Sequence, residues 1–216
     1  MAKRKGRIPP DIEVELLTAD FKDQLESGQV SDAMLSNTEL PPLQSPRGQP
    51  AQISRCSLRT VTIADSAAQR LRMQDTLIDG SDLANIDLSD SALERVEITS
   101  TRLTGGRFIE AQLKDVLFRE CKLDLIQLRM GRLQQCVFEQ CNLADADFYG
   151  ADLSGTVFRG CDLSRADLSS TRLVGADIRD CRLDGLRGTP AAMEGLIISP
   201  DQAALLITLF GVRVVW

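Results

Sequence analysis

Residues 51–185 place an apolar side chain at every fifth position. The series runs from Ile53 to Leu183 through 27 successive centres, and none of them is polar. Two residues before each centre the side chain is small or aliphatic, as in Ala146, Ala151 and Ala166. Helices repeat every 3.6 residues and strands every two, so neither element produces this period. The pattern predicts a chain that bends once in each five-residue unit.

A second, longer repeat places like residues in every fourth unit of the same region. It relates Phe118, Phe138 and Phe158, and it also relates Cys121, Cys141, Cys161 and Cys181. A fixed short period is typical of solenoids, in which each repeat buries its apolar side chains only by stacking on its neighbours. The spacing therefore predicts four units per coil, a roughly square cross-section and columns of like residues.

The individual units resemble those of a known family. The sequences CNLAD, ADFYG, ADLSG, CDLSR, ADLSS and ADIRD, which lie between residues 141 and 180, are similar to the pentapeptide repeat, whose pattern is approximately Ala, Asp or Asn, Leu and two variable residues. The resemblance covers residues 51–185. It implies an all-β solenoid of the right-handed quadrilateral β-helix type.

The two ends of the chain predict caps for this solenoid, because an uncapped end would expose a strand edge. Ser199, Pro200 and Asp201 favour a helix start, and Gly211 favours its end. Val14, Leu17, Phe21 and Leu25 follow helical spacing near the other end. The predicted organisation is a basic tail and N-terminal cap helix at 1–27, an out-of-phase repeat segment at 28–40, a proline-rich loop at 41–50, the β-helix at 51–198, and a C-terminal cap helix with a terminal strand at 199–216.

The predicted C-terminal helix is apolar over most of its circumference. Leu205, Leu206, Leu209 and Phe210 form a candidate dimer surface, so we expect a homodimer through this region. The alternative is that the helix lies flat and buries both of its faces within one chain.

The composition does not favour a catalytic site, a metal site or a cofactor site. The chain has no histidine, and all six cysteines fall on the small inward position without forming a CxxC pair. The repeated aspartates lie on an outward position of a convex surface, which lacks the cleft that a catalytic carboxylate pair needs. We therefore expect no catalytic residues, no metal, no cofactor and no enzyme activity. A pocket built by the 41–50 loop would reopen the enzyme interpretation.

The N-terminal residues predict the cellular location. The stretch MAKRKGRIPP is basic but precedes no apolar segment, so it does not resemble a secretory signal. The longest apolar stretch, residues 203–212, is too short to span a bilayer. We expect a cytoplasmic protein without membrane contact and with a disordered tail at residues 3–7. Direct nucleic-acid binding is not expected, although a weak contact of this basic tail is left open.

Three outward positions predict an apolar stripe. Leu117, Val137 and Val157 follow one another at intervals of one predicted coil, and Tyr149 is outward on another face. These four residues form a candidate partner patch. The alternative is that they reflect only the β-propensity of an exposed parallel sheet.

The C-terminal segment carries a narrower resemblance. The sequence GLIISPDQAALLITLFGVRVVW, residues 195–216, is similar to the closing segment of the quinolone-resistance pentapeptide proteins. The resemblance implies a dimer, and it implies DNA gyrase or topoisomerase IV as a partner that is protected from drugs. In one model such proteins act as a DNA mimic, imitating the shape and charge of duplex DNA.

The charge of the repeat region argues against close DNA mimicry. Residues 51–186 contain 21 acidic and 17 basic residues, a net charge of −4. A rod of about 32 Å would need about 19 negative charges to match duplex DNA. The sequence therefore predicts a non-catalytic protein-interaction scaffold, for which modulation of a type II topoisomerase is the named possibility. The alternative function is a structural rod with no such activity.

Overall fold

The computed structural model is a parallel β-solenoid, and it describes residues 7–12, 24, 27–40, 50–208 and 211–212. Its strands are β1 Gln29–Ser31, β2 Met34–Glu39, β3 Gln52–Ser54, β4 Ser57–Thr62, β5 Arg72–Asp79, β6 Ala92–Thr99, β7 Gln112–Lys114, β8 Leu117–Arg119, β9 Arg132–Gln134, β10 Val137–Glu139 and β11 Val157–Arg159. A 3₁₀-helix at Pro190–Met193 and the α-helix α1 at Pro200–Thr208 follow the strands.

The strands pair in parallel, and from β3 onward each pairs with the segment four units further along the chain. Phe118 of β8 lies opposite Phe138 of β10, which lies opposite Phe158 of β11. Beyond the strands, single bridges such as Asp82 with Arg102 continue the same register. The predicted fold class, an all-β solenoid with four units per coil, is therefore confirmed.

Each coil has four faces, which we number by the apolar centres of one coil. The first face contains Met73, the second Ile78, the third Leu83 and the fourth Leu88, and each face recurs once in every coil. The residue two positions after each centre forms a corner, where the backbone takes a left-handed conformation. Even Leu125 does so, with φ of 60°. Since non-glycine residues adopt this conformation at a cost, the closely packed interior must hold the corners in place.

Columns of identical side chains fill the interior. The rings of Phe118 and Phe138 stack at 4.8 Å, and those of Phe138 and Phe158 stack at the same distance. Phe148 meets Phe158 edge to face at 6.2 Å. The ring spacing equals the spacing between paired strands, about 4.8 Å. The coil geometry therefore sets the aromatic stacking, and the column predicted at these three positions is confirmed.

The first partial coil explains the phase shift in residues 28–40. Val30 pairs with Ile53 and Leu35 with Leu58, so the paired residues are three positions further apart than in the later coils. The chain from Leu40 to Ile53 is likewise three positions longer than two regular units. The additional residues fall in the proline-rich segment, of which only Pro50 is described. The insertion changes the phase of the repeat without changing the stacking.

The two ends of the solenoid differ in how far the structure describes them. The predicted N-terminal helix lies mostly outside the described residues; Gln24 and Ser27 are helical, whereas Asp11 and Ile12 are not. At the other end α1 begins at Pro200, next to the predicted start at Ser199. The sequence analysis missed the 3₁₀-helix, although Thr189 followed by Pro190 is a helix-start signal. Among the described helices, none has the length and apolar character needed to cross a membrane.

Candidate interaction surfaces

The predicted apolar stripe lies on the second face. Leu117, Val137 and Val157 occupy consecutive rungs of one ladder, as their spacing predicts. Val137 and Val157 are half-buried, with their side chains on the outside of the coil. A shallow groove begins beside Val157 and is bordered by Arg159, Asp177 and Arg179.

Leu117 does not contribute exposed surface to this stripe. Its side chain is only 3% exposed, although its position points away from the core. Residues 7–12, which we call the N-terminal strap, lie beside it: Arg7 forms an ion pair with Glu97, and the Ile8 N–H donates to Asp115 Oδ1 at 2.8 Å. Glu97 is the ladder partner of Leu117. The expectation of three exposed apolar residues must therefore be reduced to Val137 and Val157.

Tyr149 lies elsewhere on the solenoid. It follows Phe148 of the fourth face, which is opposite the second. The ring is 37% exposed, and the Arg129 guanidinium lies over it at 5.1 Å from the ring centroid. The structure therefore places Tyr149 apart from the valine pair, so the four predicted residues do not form one continuous patch.

A charged network flanks the valine pair. Glu139 accepts hydrogen bonds from Arg119 at 3.0 Å and from Arg159 at 2.6 Å. Partial burial alone would raise the pKa of Glu139, but the two arginines outweigh that effect and hold the pKa below its usual value. These three side chains fix one another on consecutive rungs. They give the valine pair a rigid, charged border.

Ion pairs between successive coils recur along the rod. Arg102 contacts Asp82 at 3.0 Å, Lys114 contacts Glu94 at 2.7 Å, and Arg165 contacts Asp145 at 2.6 Å. Each pair joins equivalent positions of neighbouring coils, so the alternation of charges along the ladders does place opposite charges side by side. Exposed pairs of this kind contribute up to about 1 kcal/mol each. They also shorten the runs of unneutralised negative charge that DNA mimicry would need.

The cysteines are buried structural residues. All six are free thiols inside the solenoid, and Cys141 Sγ lies 3.5 Å from the Phe118 carbonyl oxygen. Burial raises the pKa of the Cys136 thiol to about 12. Within the part of the chain that the structure describes, no group of cysteine and acidic residues is arranged to hold a metal ion.

These thiols are expected to react slowly with Ellman's reagent at pH 8, because all six are buried inside the folded solenoid. Addition of denaturant should release about six thiols per chain, since each is a free cysteine. The absorbance of the released thionitrobenzoate measures both states. Rapid reaction of several thiols without denaturant would contradict the packing described above.

The candidate dimer residues divide into two groups. Leu206 is 6% exposed and joins the hydrophobic core, and half-buried Leu205 packs against that core. Leu209 and Phe210 lie outside the described residues. The described part of α1 therefore uses Leu206 to seal its own solenoid, which leaves Ala203 and Ile207 exposed on an apolar groove with Met193 and Leu196.

A family model agrees with the geometry. Residues 121–160 and 146–185 match the model described as "Pentapeptide repeats", with eight copies. The matched units are those whose apolar centres and left-handed corners build the central and final coils. Residues 121–185 of this chain therefore match pentapeptide repeats.

Solved pentapeptide repeat proteins show limited likeness to this chain. A trypsin-treated variant of QnrB1, a plasmid-mediated fluoroquinolone resistance protein, is 16% identical; the match covers 87% of this chain and 100% of that one, with a TM-score of 0.42. HetL, from the cyanobacterium Nostoc sp. strain PCC 7120 and involved in the regulation of heterocyst differentiation, is 18% identical over 78% of this chain and 86% of that one, with a TM-score of 0.35. No curated protein sequence matches this chain. At these TM-scores the likenesses assign neither function nor partner.

Proposed function

We propose that this protein is a non-catalytic protein-interaction scaffold whose contact surface is the valine pair of the second face. The observation that supports this is the combination of half-exposed Val137 and Val157 with the Arg119–Glu139–Arg159 network beside them. Stacked coils hold these side chains in fixed positions, so little conformational entropy is lost on binding. An apolar centre with a charged border is a common arrangement in protein interfaces.

The proposed partner is a type II DNA topoisomerase, DNA gyrase or topoisomerase IV. Support comes from the sequence of residues 195–216, which is similar to the closing segment of quinolone-resistance pentapeptide proteins. The contact we propose is a protein–protein contact through the second face, because the acidic ladders are largely ion-paired with arginine. A structural rod without a partner is the competing function, and it predicts no specific binding.

The proposed scaffold is a homodimer in which exposed Ile207 of α1 contributes to the contact. Replacing Ile207 with aspartate would place a charge in that contact and should convert the dimer to a monomer. Leu125→Asp offers a matched change at an exposed aliphatic side chain outside both α1 and the strap, and should leave the dimer intact. Sedimentation velocity measures the outcome, and a wild-type monomer at all concentrations would contradict the dimer.

Replacing Val137 with lysine should weaken binding to gyrase by about tenfold or more, because it puts a charge at the centre of an apolar contact. Folding should survive, since the side chain lies outside the core. Biolayer interferometry with immobilised gyrase measures the affinity.

The matched control is Gln127→Lys, an outward and half-buried position on the opposite, fourth face. Its affinity for gyrase should equal that of the wild type. Equal loss in both variants would show that added positive charge, and not the second face, determines binding.

A further inference from the structure

The N-terminal strap lies across the coils instead of joining the sheet. The N–H of Ile8 donates to Asp115, and the N–H of Asp11 donates to Asp75 Oδ1 at 3.1 Å. Asp75 and Asp115 are corner residues of the first face, and they lie two coils apart. The strap therefore runs along the axis of the rod, with its end at Asp11 nearer the first coils.

The spacing of the two aspartates matches the repeat of an extended proline-containing chain. Two coils span about 9.6 Å at the usual distance between paired strands. Three residues of polyproline II span about 9.3 Å, and this helix has three residues per turn. Residues three apart in such a segment thus point to the same side and meet corners two coils apart.

Pro9 and Pro10 suit the two positions between the hydrogen-bonded ones. Neither proline has a backbone N–H, so no donor is left without an acceptor between Ile8 and Asp11. Their rings also favour the extended conformation before binding. The rod surface consequently recognises a backbone pattern: a donor, two prolines and a second donor.

The surface beneath the strap is a built site. We call the surface formed by Asp75, Leu77, Glu97, Asp115 and Leu117 the axial lane. Asp115 is fully buried, and its Oδ2 has no hydrogen-bond partner among the residues that the structure describes. Arg95 fixes Asp75 with two hydrogen bonds, at 2.6 and 2.7 Å. The lane thus presents two oriented acceptors along one corner of the rod, with Leu117 buried beside the acceptor at Asp115.

The strap's own side chains remain largely exposed. Ile8 is 53% exposed, and Pro9 and Asp11 are also exposed. Its attachment to the solenoid depends mainly on two backbone hydrogen bonds and the ion pair between Arg7 and Glu97. A segment with the same donors and more apolar contact could replace it.

We propose that the axial lane is a recognition site for an extended partner segment with an arginine, one further residue and two prolines, and that the strap occupies it as an internal competitor. The arginine pairs with Glu97, and the residue after it donates its N–H to Asp115. The residue after the prolines donates to Asp75. The axial lane adjoins the valine pair, because Leu117 is the ladder partner of Val137, but its peptide test does not depend on the topoisomerase proposal.

The test uses a peptide of residues 7–12, RIPPDI, with fluorescein coupled to its N-terminal amine and with its C-terminus amidated. The full chain carries Arg7→Glu and Ile8→Pro, which oppose Glu97 and remove the donor to Asp115, so that its own strap is released. Fluorescence anisotropy should show saturable binding to this variant and binding about tenfold weaker to the wild type, whose strap competes. Equal binding to both chains would overturn the proposal.

Two controls test whether the peptide binds in the axial lane. A peptide N-methylated at Ile8 lacks the donor to Asp115, and it should bind the released variant about tenfold more weakly. Glu97→Gln in the released variant should also weaken binding without disturbing the buried core. No loss with either control would place the peptide outside the lane and overturn the proposal.

Sedimentation velocity tests whether the strap in the lane belongs to the same chain or to a second copy. Release of the strap should leave the oligomeric state unchanged if the strap belongs to its own chain. Conversion of a wild-type dimer to a monomer on release would mean that residues 7–12 enter the lane of a second copy. That result would overturn the partner-segment proposal in favour of a dimer interface.

Discussion

Replacing Phe138 with alanine is expected to lower the free energy of unfolding by about 3–5 kcal/mol. The ring is fully buried and stacks against Phe118 on one side and Phe158 on the other. Its loss leaves a cavity between two aromatic neighbours that the coil spacing holds in place. Urea unfolding followed by circular dichroism measures the change.

Phe138→Leu and Tyr149→Ala are the matched variants. Leucine is the usual centre of a unit, so Phe138→Leu should cost much less than the alanine change. Tyr149 is partly exposed, so its truncation should cost no more than about 1 kcal/mol. A similar loss in Phe138→Ala and Tyr149→Ala would contradict a solenoid held together by its interior column.

Replacing Gln202 with glutamate is expected to destabilise the protein by about 3 kcal/mol at pH 7. Gln202 is buried at the start of α1, and its Nε2 donates to the carbonyl oxygens of Ile178 and Cys181 at 2.9 and 2.8 Å. Its Oε1 accepts from the Ser199 N–H at 2.9 Å. The side chain thus joins the cap to the last coil. A carboxylate would face two carbonyl oxygens without a proton to donate.

The loss of stability in Gln202→Glu should depend on pH. Burial against carbonyl oxygens disfavours the charged form, so the pKa of the introduced carboxyl should lie above its unfolded value of about 4.3. A raised folded pKa means that stability falls as pH rises above the unfolded pKa, and that it recovers below it. Gln202→Met removes the same hydrogen bonds without adding a charge. Urea unfolding at several pH values should show a loss for Gln202→Glu relative to Gln202→Met that increases with pH, and a constant difference would contradict this role.

The period of five predicted the fold because the fold follows from which positions of each unit point inward and which point outward. Two inward positions in each unit leave one way to bury the centres from Ile53 to Leu183, and the columns of like residues in every fourth unit specify the coil. The shifted phase at Val30 could also have been explained by counting, since the segment from Leu40 to Ile53 exceeds two units by three positions. The left-handed corner at Leu125 could not, because leucine does not favour that conformation and is held there by the packing of its coil.

The candidate surfaces were less predictable because they depend on contacts between distant residues. Leu117, Val137 and Val157 look alike in sequence, yet Leu117 is buried beside a strap from a distant part of the chain. The adjacent prolines Pro9 and Pro10 were a signal of an extended segment, but nothing in the repeat pattern indicates which face receives it. Leu206 has the same ambiguity, since an apolar helix can seal its own chain or bind another.

DNA supercoiling by gyrase from the source organism, titrated with this protein with and without a fluoroquinolone, tests the proposed function most directly. The account predicts protection from the drug or inhibition of supercoiling near one protein per gyrase. Val137→Lys should lose the effect, and Gln127→Lys should retain it. Unchanged supercoiling and drug sensitivity at every ratio would contradict the topoisomerase proposal and favour the structural rod.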